Sequence, residues 1–443
     1  MTSLAGLVLC LALSAPAEKS PRVEELVGAV DAVRLQATVG RLAAFGTRHT
    51  LSETASDARG IGAARRWLAS EFAALAHQPG SRLRPFEDRF TCEPGPRVPR
   101  PTEIWNVGAI LPGGDAARSA EAVVVVGHYD TRASDVMDAA ADAPGAVDDG
   151  SGVAVVLELA RTMARERPAV SVYFVAVAGE EQGLLGSAHL ARRLRADGVQ
   201  VLAMTSIDIA GNTEGQDGVK DNGTARVFSE GVSAAETEAQ RRLREAVGGE
   251  NDGAAREWAR YLKRVGERYV ENLDLWVMLR RDRIARGSDH LSFSKEGFPA
   301  VRLSEAHEHY DRQHQDVRAV NGRHYGDDLA HFDAAYAAKL ARALAAAIGH
   351  LASAPSPIRD LALGGAVSPD TRLRPALPPD SRIAALVLYR RRADGVSWQR
   401  VSTHPPGDQI VLRGVVPDSH VFAVATVDAE GNESLPTYPT RLE

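Results

Sequence analysis

Val175-Ala176-Val177-Ala178-Gly179-Glu180-Glu181-Gln182-Gly183 sets two adjacent carboxylates at the end of an apolar run. The run, Val170 to Val177, reads as a buried strand, and Leu184 to Leu194 reads as an amphipathic helix. Acids at a strand's carboxyl end stand where open α/β sheets place their chemistry. Taken alone, the doublet reads more simply as helix-start acids that complement the helix dipole. Acids and histidines elsewhere in the chain separate these two readings.

Working outward, Ile104 to Leu111 and Val123 to Val126 read as strands, Ser151 to Met163 as a helix, and Gln200 to Ile207 as a further strand. This alternation predicts an α/β fold: a mostly parallel mixed sheet sandwiched by helices. Upstream, apolar spacing predicts one helix over Val23 to Phe45 and another over Ala58 to Ala76, with Leu83 to Cys92 as an edge strand. Between Gly211 and Gly287 the alternation stops. An insertion at about residues 212–287, lying over one edge of the sheet, is expected there. Ala334 to Leu351 reads as an Ala-rich helix that closes a domain spanning 23–353. Residues 354–357, Ala-Pro-Ser-Pro, read as a linker. Beyond it, short strands and turns over 358–443 suggest a small C-terminal β-sandwich.

The chain has 443 residues, 44% hydrophobic and 25% charged, an ordinary soluble composition. A formal net charge of -6 argues against a nucleic-acid binder that relies on bulk positive charge. Residues 2–17 carry no charged side chain and end in Ala15-Pro16-Ala17, a small-x-small pattern. Residues 1–17 therefore resemble a secretory signal peptide, although a basic start is missing, and a secreted or periplasmic protein is expected. No other stretch approaches a membrane span, so no integral segment is expected after its removal.

His128 ends an apolar strand, in Val126-Gly127-His128-Tyr129-Asp130. Asp148 lies at a helix entry, in Gly145-Ala146-Val147-Asp148-Asp149-Gly150-Ser151-Gly152. Asp208 follows another strand, in Ser206-Ile207-Asp208. In a parallel sheet these strand ends share one edge, so the side chains can meet. Several carboxylates in one crevice repel unless cations compensate them. Imidazole and carboxylate together suit zinc. Two ions can share a bridging carboxylate and activate water, and one acid not used as a ligand can then move the proton.

With these motifs in this order, the chain resembles the co-catalytic zinc metallopeptidases typified by bacterial leucyl aminopeptidases and aminopeptidase Y. The resemblance covers roughly residues 40–350 apart from the insertion. It implies two zinc ions. His128 and Asp208 would bind one, Glu181 and a later histidine the other, and Asp148 would bridge them. Glu180 would be the general base, Asp130 would orient His128, and Asp149 would be structural. The last ligand is expected after the strand in Gly297-Phe298-Pro299-Ala300, which selects His314, with His309 as the alternative. Ser288-Asp289-His290 matches a supporting motif, and Tyr310 is a candidate for holding the developing oxyanion. Val421 to Ser434 resembles the last-strand region of fibronectin type III modules.

The function so implied is a zinc exopeptidase acting on a peptide or protein substrate, foremost an aminopeptidase. A carboxypeptidase would need a cation for the substrate carboxylate, for which Arg280, Arg281, Arg283 and Arg302 are available. A glutaminyl-cyclase-like acyltransferase would use one zinc. A non-catalytic binding protein on the same fold would have lost ligands that this chain keeps.

Overall fold

The computed structural model describes residues 19–407 and 409–443, so the expected signal peptide lies outside the described residues. The chain forms two compact units, Pro21–Ala354 and Pro355–Glu443. The first contains helices α1 (Pro21–Ala29), α2 (Ala32–Ala43) and α3 (Gly60–Ala76), then strands β1 (Arg84–Cys92), β2 (Thr102–Leu111) and β3 (Glu121–His128). It continues with α4 (Gly150–Met163), β4 (Ser171–Val177), α5 (Leu185–Ala196), β5 (Gln200–Ile207) and β6 (Thr224–Ser229). Then follow α6 (Glu238–Val247), α7 (Ala254–Tyr269), β7 (Asp274–Met278), α8 (His290–Lys295) and β8 (Ala300–Glu305). A small hairpin, β9 (Arg318–Val320) and β10 (Arg323–Tyr325), precedes α9 (Ala334–Ser353).

One eight-stranded sheet runs in the order β1-β2-β4-β3-β5-β8-β6-β7. Its centre, β4-β3-β5-β8, is parallel, and β2 and β6 flank that centre antiparallel. The central strands are apolar on both faces because helices cover both faces. On one face Val124, Val126, Val175 and Val177 pack with Leu190 and Leu194 of α5 and Phe293 of α8. On the alternate face β3 approaches α4 so closely that a Cβ on Gly127 would lie 2.7 Å from the Gly152 carbonyl carbon. A Cβ on Gly152 would lie 2.2 Å from the Ile207 oxygen, so glycine at 152 lets the start of α4 sit directly on the sheet.

One expectation is corrected and another extended. The first helix is two: Val30 and Asp31 interrupt it, and the Asp31 carboxylate accepts a 2.8 Å bond from the Val33 amide, capping α2. Apolar spacing continues through the break, so it did not reveal the cap. Residues 212–287 do more than lie over the sheet edge: α7 packs against β6, β7 and β8, and β6 and β7 lengthen the sheet itself. β6 pairs with β8 and β7 with β6, while Trp258 of α7 is fully buried and donates its indole N–H to Thr205 at 2.9 Å.

In the second unit, strands β11 (Asp360–Gly364), β12 (Thr371–Ala376), β13 (Ala385–Arg392), β14 (Gln399–His404), β15 (Ile410–Leu412), β16 (His420–Val427) and β17 (Arg441–Leu442) form two sheets. Their orders are β15-β12-β11-β17 and β14-β13-β16. Leu361, Leu373 and Ile410 from one sheet meet Leu386, Leu388, Phe422 and Val424 from the other. β12 alternates buried and exposed positions along its length, as a strand with one face on a core must.

Candidate metal centre

Connections leave β3 and β5 in opposite directions: β3 leads through α4 to β4 on one side, and β5 leads on towards β8 on the other. The carboxyl ends of two such neighbours form the crevice where doubly wound sheets bind ligands. His128 is the last residue of β3, and Asp208 follows the last residue of β5. Glu180 and Glu181 follow β4, and Asp148 precedes α4. His314 comes from the loop between β8 and β9, where its φ of 51° is in the left-handed region.

Asp148 stands between two imidazoles. Its Oδ1 is 3.2 Å from His128 Nε2 and its Oδ2 is 3.1 Å from His314 Nε2. Asp208 Oδ2 lies 4.0 Å from His128 Nε2, and Glu181 Oε1 lies 3.1 Å from His314 Nε2. The donors therefore form two groups, His128-Asp148-Asp208 and Asp148-Glu181-His314, which share Asp148. Within each group the donor atoms lie within 4.8 Å of one another. Glu180 belongs to neither, yet its half-buried side chain lines the same cavity. His309, the alternative last ligand, is in neither group.

Buried partners fix this geometry. Asp149 caps α4 through Gly152 N at 2.8 Å and accepts from His128 N at 3.0 Å, tying β3 to the helix. The Asp148–Asp149 peptide is cis. The expected contact from Asp130 to His128 is made by its backbone: His128 Nδ1 lies 3.1 Å from the Asp130 carbonyl oxygen and 3.7 Å from the carboxylate. The Asp130 carboxylate instead accepts from the amides of Glu180 and Glu181, at 3.2 and 3.1 Å, and from the Thr50 hydroxyl at 3.0 Å. It thereby sets the doublet's backbone. Arg302, fully buried, donates to Asp208 Oδ1 at 2.9 Å, which leaves Oδ2 facing His128.

Three contributors were not assigned these roles from sequence. Asp327 accepts from Val147 N at 2.9 Å and Asp148 N at 2.7 Å, holding the segment that presents Asp148. Arg48, fully buried, donates to the carbonyls of Leu42, Tyr129, Pro144 and Gly145. Arg302 was considered for a substrate carboxylate, but its burial and its bond to Asp208 remove it from that role. Its position did carry a signal: an arginine inside Ala300-Val301-Arg302-Leu303, a buried strand, requires an acidic partner.

The site calls for positive charge. Burial opposes protonation of His314, but Glu181 and Asp148 outweigh it and lift the imidazole to about 10. Burial likewise opposes charge on His128, and Asp148, Asp149, Glu180 and Asp208 together hold it well above its ordinary value. Burial pushes the Glu180 carboxyl well above the usual carboxylate range; His128 opposes this and Glu181 adds to it. Two dications would satisfy the same acids without protons. The donor set of imidazole and carboxylate oxygens, with a carboxylate common to both groups, fits zinc.

The cavity, about 450 Å³, is also lined by Arg97, Arg132, Arg283 and Arg286. Arg283 and Arg286 share Glu308 Oε2 at 3.0 and 2.9 Å, while Arg226 takes Glu308 Oε1 at 2.7 Å. One carboxylate thus faces three guanidinium groups. Tyr310 does not line this cavity; it is 57% exposed and lies beside Arg226 and His307 in another depression. Its expected oxyanion role is therefore withdrawn. His290 is fully buried and bonds the Arg281 carbonyl at 2.9 Å, away from the donors.

A mixed sheet with such a donor set at its carboxyl edge makes a candidate metal centre able to activate water. The profile of Peptidase family M28 matches residues 106–347. A probable zinc metalloprotease of Leptosphaeria maculans is 36% identical over 420 residues, covering 94% of this chain and 96% of the relative. One from Pyricularia oryzae is 39% identical over 429 residues, covering 94% and 84%. The chain belongs to peptidase family M28 and is a zinc metallopeptidase. Among solved structures, LapA of Legionella pneumophila shares the fold with a TM-score of 0.53 at 20% identity, covering 76% of this chain and 78% of that one.

Proposed function

We propose that this protein is a two-zinc exopeptidase, acting foremost as an aminopeptidase. The observation that carries the two-metal reading is Asp148, whose two oxygens face imidazoles of two different donor groups. His128 and Asp208 would hold one zinc, Glu181 and His314 the other, and Asp148 both. The ions, when bound, supply a Lewis acid for the scissile carbonyl and lower the pKa of water.

The chain's own residues do the rest. Glu180 lines the cavity without belonging to a donor group, so its carboxylate is available to take a proton from water and pass it to the leaving amine. The Asp130 carboxylate holds the Glu180 and Glu181 amides, which keeps one acid pointing to metal and its neighbour to the proton path. Arg302 restricts Asp208 to one outward oxygen. The aminopeptidase reading rests on the likeness of the His128, Asp148 and Glu180-Glu181 motifs to leucyl aminopeptidases and aminopeptidase Y.

A second reading, a carboxypeptidase, is favoured by one observation: Arg283 and Arg286 both line the cavity, held there by Glu308 and, for Arg283, also by Asp282 Oδ1 at 3.2 Å. Free, N-acetylated and C-amidated peptides separate the two. Cleavage lost on N-acetylation supports the aminopeptidase; cleavage lost on C-amidation and kept on N-acetylation replaces it with the carboxypeptidase. Secretion or a periplasmic location remains part of the proposal through residues 2–17, and the second unit is proposed as a fibronectin type III-like spacer.

A further inference from the structure

Beyond the catalytic groups, one further set of side chains meets the same donor geometry among the described residues: His324, Asp328 and His331, with donor atoms within 4.8 Å of one another. Its local build brings the three together. His324 is the middle residue of β10, and Gly326 turns the chain. Asp328 then precedes a single 3-10 turn, Leu329–His331. Residues three apart in a 3-10 turn eclipse, so Asp328 and His331 share a side. The His324 and His331 rings lie 5.8 Å apart between centroids at 46°, and His324 Nε2 contacts the Asp328 carboxylate.

An ion pair between residues four apart would explain His324 and Asp328 alone. It does not explain why a second imidazole converges on the same carboxylate. Nor is the carboxylate spent on the turn it precedes: Asp328 makes no side-chain cap bond. Arg312 is the cation whose charge bears most on His331. The nearby cation is itself engaged, since Arg312 bonds Asn212 Oδ1 and reaches Glu214 Oε2 at 3.2 Å.

We propose that His324, Asp328 and His331 form a third zinc site, structural in role. Two imidazoles and one carboxylate suit zinc, with water completing a tetrahedron. The ion would pin β10 to the 3-10 turn and so close the loop that contains Asp327. Asp327 is the residue whose carboxylate holds the Val147 and Asp148 amides. The site thereby braces the presentation of Asp148 without touching substrate, and it does not depend on the reading of the catalytic pair.

The test is zinc counting. Chelator-stripped protein is titrated with zinc against a chromophoric competitor, in the wild type, in the double variant His324→Ala/His331→Ala, and in Asp148→Ala. The expected counts are about three, about two and about one zinc per chain. The double variant keeps the donors of the two catalytic groups intact, so the two remaining ions are those that need Asp148. A double variant that binds as much zinc as the wild type overturns the proposal, and so does an Asp148→Ala protein that is folded by circular dichroism and binds none. Should Asp148→Ala fail to fold, the single variant His324→Gln, at an exposed position, decides the matter by the same count. A wild type that binds one ion, lost in the double variant and kept in Asp148→Ala, upholds this site while refuting the two-zinc catalytic centre.

Discussion

The two halves of the metal centre are built differently. His128 and Asp208 sit at the ends of adjacent parallel strands and are almost fully buried. Asp149 and Arg302 hold them from behind, through the His128 amide and Asp208 Oδ1. The other half pairs Glu181, anchored through its amide by Asp130, with His314, which is about a third exposed and comes from a loop. A sheet edge thus supplies one rigid half, and a loop closes the other over it. Asp148 joins them. The half built on the sheet should bind metal tightly and respond to its buried supports, while the half closed by the loop should exchange first.

Substitutions can break this contrast or sharpen it. Asp148→Ala removes the shared carboxylate and should lose both catalytic zincs, with turnover falling further than the ~10–100-fold expected for loss of an outer partner. Metal analysis that finds one of the two retained would show that the halves are independent. Glu180→Gln should keep both ions while turnover falls about 10²–10⁴-fold. Full activity in that variant removes the proton-transfer role. Arg302→Met frees the second oxygen of Asp208 and deprives it of its buried partner. Zinc affinity should weaken about 10–100-fold at the His128-Asp208 half alone, seen as one altered step in a zinc titration. His309→Ala touches neither half, and its kcat/KM should stay within about twofold of wild type, the size of an ordinary surface effect.

The same contrast explains what could be read from sequence. Strand, turn and glycine patterns located β3, β4, β5 and α4, and with them His128, Asp148, the glutamate doublet and Asp208. Residues at strand ends inherit their neighbourhood from the sheet, so local pattern carries long-range information there. His314 has no such frame; only the family resemblance, which places the last ligand after the strand at Gly297-Phe298-Pro299-Ala300, suggested it. Arg48 and Asp327 are charged residues in loops, and a single sequence does not distinguish a buried loop charge from a solvated one. Their partners are mostly backbone carbonyls and amides, which leave no residue-type signature. The break at Asp31 was hidden because the apolar spacing of α1 runs in phase into α2. That residues 212–287 add strands to the sheet was not legible, because β7 spans only five residues, Asp274–Met278, too few to show which sheet it joins.

Anomalous diffraction at the zinc edge from the zinc-loaded protein tests the central claim most directly. The account predicts two catalytic peaks about 3.5–4 Å apart, one on each side of the Asp148 carboxylate, with Glu180 ligating neither. A single peak among His128, Asp148, Glu181, Asp208 and His314, or a peak ligated by Glu180, would contradict it.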